Sequence, residues 1–252
     1  MIAESPVPVD TIAPLEHDEA MRLATTEWDR LLGVVDRLQG DDWSRPTDCA
    51  EWDVRAILGH LLGALKLQAD PAERTRVLTD AAAVAAATGI RRLDAMTALQ
   101  VEMHADLSTD ALRERLREWV PRGLAARRDT TPEMRATPYD PQIPGETGWT
   151  MGYLSDVIHT RDPWIHRVDI CRAVGAELEL TADHDGRIVE DVVAQWARRH
   201  GQPFTLRLSG PAGGHYSASR QGATLEVDAV EFCRMLSGRA HGEGLLATQL
   251  MF

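Results

Sequence analysis

Four side chains able to bind a cation crowd into one eleven-residue stretch, HTRDPWIHRVD: His159, Asp162, His166 and Asp169. At roughly 100° per residue of α-helix they fall within about an 80° sector of one face. Asp162 and His166 stand four apart, so their side chains meet one turn from each other and can share an ion. Cys171 projects to the opposite side and stands outside the group. Imidazole and carboxylate suit zinc, and also nickel(II) or iron(II), so spacing does not choose the metal. A further ligand must come from elsewhere, and His60 is the candidate, beside Ile57 at the edge of an apolar helical stripe. A His, Asp, His set leaves coordination positions open, the arrangement of a catalytic rather than a structural zinc. Plainer readings exist: Asp162 before Pro163 as a helix cap, His166 as a core histidine, and acid–base pairs on a helix surface.

Helices must hold these residues. Leu15, Leu23, Leu31, Val34, Val35 and Leu38 recur at three-to-four spacing until Gly40, which predicts a long first helix. Asp53 is placed to cap a second helix carrying Val54, Ile57, Leu58, Leu61, Leu62 and Leu65, ended before Pro71. Residues 72–128 read as further helices: DAAAVAAATG, RRLDAMTALQVEMHADL, and DALRERLREWV, which follows Ser108 and Thr109 and stops at Pro121. The stretch 128–149 holds Pro132, Pro138, Pro141 and Pro144 without a hydrophobic period, which predicts a long surface loop. A helical pattern returns over 149–174, where Pro163 either starts a new helix or, the preferred reading, kinks a continuous one. No strand pattern occurs in the first 175 residues, and residues 1–12 are aperiodic.

The texture then changes to a helix at about 183–199, three short alternating runs (PFTLRLSG, GHYSASR, ATLEVDA) and a final AVEFCRMLSGR helix. The fold expected is therefore mainly α with an α+β tail: a helix bundle over 13–175 and a small α+β domain over 176–252. With 252 residues, 44% hydrophobic and 26% charged, the chain is long and apolar enough for such cores, which excludes disordered and fibrous classes. Acidic residues outnumber basic ones 39 to 27, and a net charge of -12 disfavours nucleic acid and anionic membranes as partners. The absence of a long apolar run and of a signal peptide predicts a cytoplasmic protein. Cys49, Cys171 and Cys233 have no metal-site spacing and read as small buried apolar residues. Hydrolase, phosphate-loop and dinucleotide motifs are missing, and SGPAGG at 209–214 is a turn between strands.

Two segments in order, DCAEWDVRAILGHLLG at 48–63 and HTRDPWIHRVDICRAVG at 159–175, resemble the mycothiol-dependent maleylpyruvate isomerase family of DinB-like four-helix bundles. Cys49, Trp52, Asp53, His60 and Leu61 match its first motif, and Asp162, His166 and Asp169 its second, where glutamate is common at the position of Asp162. Many members add a small sterol-carrier-like C-terminal domain ending in Gly-Arg, here Gly238 and Arg239, so the resemblance spans about 13–245. It implies zinc as the ion, His60, Asp162 and His166 as ligands, and mycothiol or a similar low-molecular-weight thiol as cofactor or co-substrate. It also implies Arg239 as a contact for the thiol or an anionic substrate, with Asp169 and His159 as catalytic neighbours that orient His166 or relay protons. The expected activity is isomerisation or S-conjugation of a small unsaturated electrophile by a monomer or homodimer. A thiol-independent zinc hydrolase and a non-catalytic small-molecule-binding protein stay open beside it. The insert at 70–105 and the loop at 129–148 match nothing in the family pattern.

Overall fold

The computed structural model describes residues 5–143, 145–219 and 221–252. Pro144, counted above in the proline-rich loop, and Arg220, in the second alternating run, lie outside the described residues. The chain forms two compact units: His17–Ala176, and a second that joins the residues up to Glu16 to Glu177–Phe252. The N-terminal stretch was expected to be aperiodic, yet it contributes β1 (Val7–Pro8) to the sheet of the second unit. Two residues are too few to show alternation, so only pairing with a distant strand defines them.

In the first unit, α1 (His17–Arg37) buries Leu23, Trp28, Leu31, Val34 and Val35. The α2 helix (Val54–Ala69) starts at Asp53, whose carboxylate accepts the N–H of Ala56 at 2.8 Å. It buries Gly59, His60 and Gly63 as well as its leucines, because neighbours cover more than one face. Next come α3 (Pro71–Thr88), closed by Gly89 at φ 77°, and α4 (Arg92–Glu102), and both pack on α2.

The α5 helix (Thr109–Arg128) does not stop at Pro121 as its sequence suggests. Pro121 is exposed, so its ring lies on the outer side of the helix, away from the core. Leu116, Val120, Gly123 and Leu124 meanwhile continue the buried stripe across it, and packing outweighs the lost bond. The proline-rich segment contains the short α6 (Pro132–Arg135) and is tied at its base, where Tyr139 N–H donates to Trp149 O and Met151 N–H to Thr137 O, both at 2.9 Å. Then α7 (Met151–Tyr153) runs through a π-helical turn at Leu154–Ile158 directly into α8 (His159–Val174). Pro163 lies inside this continuous helix, so Asp162 is not its cap; Thr150, far upstream, accepts the capping N–H of Tyr153 at 3.1 Å.

The four helices α1, α2, α5 and α8 make the bundle, α1 and α2 each packing on both α5 and α8. A fully buried ion pair locks α1 to α8: Arg167 donates to Glu27 through Nε at 2.6 Å and a terminal nitrogen at 3.0 Å. The second unit follows the expected order, with α9 (Arg187–His200), β2 (Phe204–Ser209), β3 (Gly214–Ser217), β4 (Ala223–Asp228) and α10 (Ala229–Leu236). Its sheet runs β1-β3-β2-β4, with β2 antiparallel to β3 and parallel to β4, and β1 parallel to β3. Trp196 of α9 meets Phe204 at 4.6 Å and Phe232 at 5.3 Å between ring centroids, which forms the core of that unit. Among the described residues no helix is long and apolar enough to cross a membrane.

Candidate metal centre

Because α2 and α8 face each other in the bundle, inward residues from both meet. His60 comes from the second turn of α2, and Asp162 and His166 from successive turns of α8. One ligand atom from each of the three lies within 4.8 Å of the others. Nε2 of His60 is 3.3 Å from Oδ1 of Asp162, and Nε2 of His166 is 3.5 Å from the same oxygen. Both imidazoles are buried, and the carboxylate is only partly covered.

The second nitrogen of each imidazole is engaged. Nδ1 of His166 lies 2.9 Å from Oδ2 of Asp169, a carboxylate with no exposed surface. Nδ1 of His60 lies 2.8 Å from Oε1 of Gln100 on α4. Both partners are acceptors, so each of these bonds favours a proton on Nδ1 and a lone pair on Nε2. Metal-binding histidines are held in this way. Two imidazoles and one carboxylate within reach of one another fit a zinc-type cation.

Burial works against ionising Asp162, but His60 first and then His166 and His159 outweigh it and hold the carboxyl down to about 2. The carboxylate is therefore an anion throughout the neutral range. His159 is pushed the other way, to about 4, by burial and then by the Arg127 charge, against a partial pull from Asp162. It is neutral near pH 7, its Nδ1 has no hydrogen-bond partner, and it makes no bond to His166. Trp52, half-buried at the end of the loop before α2, sets its ring 4.9 Å from His60 and 6.0 Å from His166. That loop is anchored to α8 by Arg172 and Asp48 at 2.9 Å.

Pro163 would break the helix that carries Asp162 and His166 unless the carbonyl four residues back, His159 O, found another donor. Buried Arg127 of α5 supplies it, donating to His159 O at 3.1 Å and to Thr160 Oγ1 at 2.8 Å. Burial lowers the Arg127 pKa to about 10, with Asp156 opposing, so it stays charged.

Of the residues singled out in the sequence, His60, Asp162, His166 and Asp169 are brought together, and His159 stands one turn along the same helix. Arg239 belongs to the other unit, in the turn after α10, where its N–H donates to Arg234 O at 2.8 Å. Gln100 and Arg127 were missed as parts of the site. The pair Gly59 and Gly63, one turn apart and flanking His60, was the available signal that another helix approaches there.

Residues 24–171 match the profile of the mycothiol maleylpyruvate isomerase N-terminal domain. The fold is similar to a crystal structure of the mycothiol-dependent maleylpyruvate isomerase, with a TM-score of 0.59 and 18% identity over 90% of each chain. A structure of a histidine-to-alanine mutant of that enzyme gives a TM-score of 0.58 at the same identity and coverage. No curated protein matches the chain by sequence.

Proposed function

Since the chain belongs to the mycothiol maleylpyruvate isomerase family, we propose that it is a zinc-dependent enzyme. In this reading it uses mycothiol or a similar thiol to isomerise or S-conjugate a small unsaturated electrophile. The observation that carries the reading is the convergence of His60 Nε2, His166 Nε2 and the Asp162 carboxylate, with both Nδ1 atoms already bonded. Bound there, the cation would supply Lewis acidity that favours the thiolate over the thiol near neutral pH.

The chain's own residues do the rest. Asp162, ionised, contributes the negative charge that imidazole ligands do not supply. Asp169 and Gln100 keep both histidines in the ligand tautomer. Trp52 covers the histidine rings and limits water on that side. His159, neutral and three residues from Asp162, is the neighbouring base. Cys171 and Cys233 are buried as expected, and burial pushes the Cys171 thiol up, whereas Cys49, also expected to be buried, is half-buried in the loop before α2. The reaction is reversible addition: sulfur bonds to one alkene carbon, the former double bond rotates, and the C–S bond breaks to return the thiol. If the C–S bond is kept, the thiol proton passes to the adjacent carbon and an S-conjugate results.

Elemental mass spectrometry on tag-free protein, beside His60→Ala and His166→Ala variants that keep their circular dichroism, tests the centre. About one zinc per chain is expected in the parent and none in either variant. Turnover of maleylpyruvate is expected to require both zinc and added mycothiol. A parent protein that stays metal-free after incubation with zinc overturns the proposal, and turnover without thiol overturns its thiol step.

A further inference from the structure

We infer that Gln100 is a positioning residue of the metal centre, its side-chain carbonyl reaching His60 past a glycine of α2 and holding the tautomer that offers Nε2 to a cation. The inference rests on the metal-centre reading above and adds α4, outside the bundle proper, to that centre.

Asp162 makes such a residue necessary. Its oxygen stands 3.3 Å from His60 Nε2 and, with no cation between them, draws the imidazole proton to Nε2, where it blocks ligation. Gln100 Oε1, nearer at 2.8 Å and aligned on the other nitrogen, draws it to Nδ1. His166 is held by a carboxylate from its own helix, three residues on. His60 has no such neighbour on α2 and takes a neutral carboxamide from another helix instead, which adds no further buried negative charge.

The packing is built for this contact. Gln100 is 1% exposed. A Cβ placed on Gly63 would lie 2.6 Å from both Cβ and Cγ of Gln100 and 3.2 Å from its Cα, so only glycine leaves the Gln100 side chain its path. One turn earlier, a Cβ on Gly59 would sit 3.5 Å from His104 Cβ and 3.7 Å from Val101 O, ordinary contacts, so the close approach falls at Gly63. His104 Nδ1 bonds to Gln100 O at 2.7 Å and fixes the backbone from which the carboxamide extends.

The test uses Gln100→Met, which keeps length but loses the acceptor, and Gln100→Glu, which keeps an acceptor. Zinc affinity, by competition with a chromophoric chelator, is expected to fall about 10–100-fold in the first and to stay within a few-fold of the parent in the second. The visible spectrum of the cobalt(II)-loaded protein is expected to shift in Gln100→Met alone. Parent affinity and spectrum in Gln100→Met would overturn the inference, and so would equal loss in both variants. Imidazole nitrogen NMR of the metal-free parent at pH 8 needs no substitution: a proton on His60 Nδ1 is expected, and a bare Nδ1 refutes the role. If the parent binds neither zinc nor cobalt, the metal reading fails by itself, and the NMR result still decides what Gln100 does.

Discussion

Replacing glycine by alanine at two positions of the same bundle is expected to change stability in opposite directions. In a helix interior alanine is favoured over glycine by about 1 kcal/mol. At Gly33 in α1 the nearest atom to a new Cβ is the tip of Arg37, 3.7 Å away, an ordinary contact with a flexible side chain. Gly33→Ala therefore keeps the gain, about 0.5–1 kcal/mol. At Gly63 the same methyl lies 2.6 Å from two carbons of Gln100 and 3.2 Å from its Cα, so one helix must retreat by about 1 Å to restore normal contact. Gln100 cannot swing aside without leaving His60. Such overpacking costs about 1–3 kcal/mol, which cancels or exceeds the propensity gain. Propensity is common to both variants, so the gap between them is the overpacking term itself, about 1–3 kcal/mol. Urea unfolding of the metal-free proteins, followed by circular dichroism, reads the gap from the midpoints and slopes. Zinc competition on Gly63→Ala is expected to show weaker binding as Gln100 is displaced. Equal stabilisation of both variants with unchanged slopes would refute the close approach of α4 to Gly63 and the argument built on it.

Two further outcomes follow from groups beside the candidate centre. His159 titrates at about 4 in the folded protein against 6.5 ordinarily, so the unfolded chain takes up its proton first. Its contribution to stability is therefore full above about pH 6.5 and declines as the pH falls towards 4, by up to about 3 kcal/mol. The depressed Asp162 carboxyl acts in a lower window, its contribution present above about pH 4 and lost towards 2. Denaturant titrations at pH 7 and pH 4.5 should show a smaller difference for His159→Gln than for the parent, and equal differences would sink the assignment. In a second experiment, Arg127→Met removes the donor to His159 O, and Pro163→Ala provides a new one in the backbone. The double-mutant cycle is expected to give a favourable coupling of about 0.5–3 kcal/mol, whereas strict additivity would show that Arg127 does not compensate the proline.

Rules that act over a few residues were legible in the sequence. The i, i+4 spacing of Asp162 and His166, the Asp53 cap, the bundle helices and the three alternating strands all follow from local periodicity and capping. Where the structure departs from that reading, a distant partner decides. Pro121 ends no helix because the buried stripe of α5 continues past it, and Pro163 ends none because Arg127, 32 residues before His159, bonds the carbonyl it strands. Val7–Pro8 becomes a strand only by pairing with Tyr216–Ser217.

The candidate centre divides along the same line. Residue types and helical spacing marked His60, Asp162, His166 and Asp169 as able to ligate or support a cation, since ligand chemistry and helix geometry are properties of short segments. That His60 meets the α8 residues, that Gln100 rather than a carboxylate holds His60, and that half-buried His159 is neutral depended on helix packing across tens of residues of chain. Such contacts arise where side-chain volumes and the bare backbone of Gly63 let two helices approach, and no local pattern encodes which residue stands opposite which.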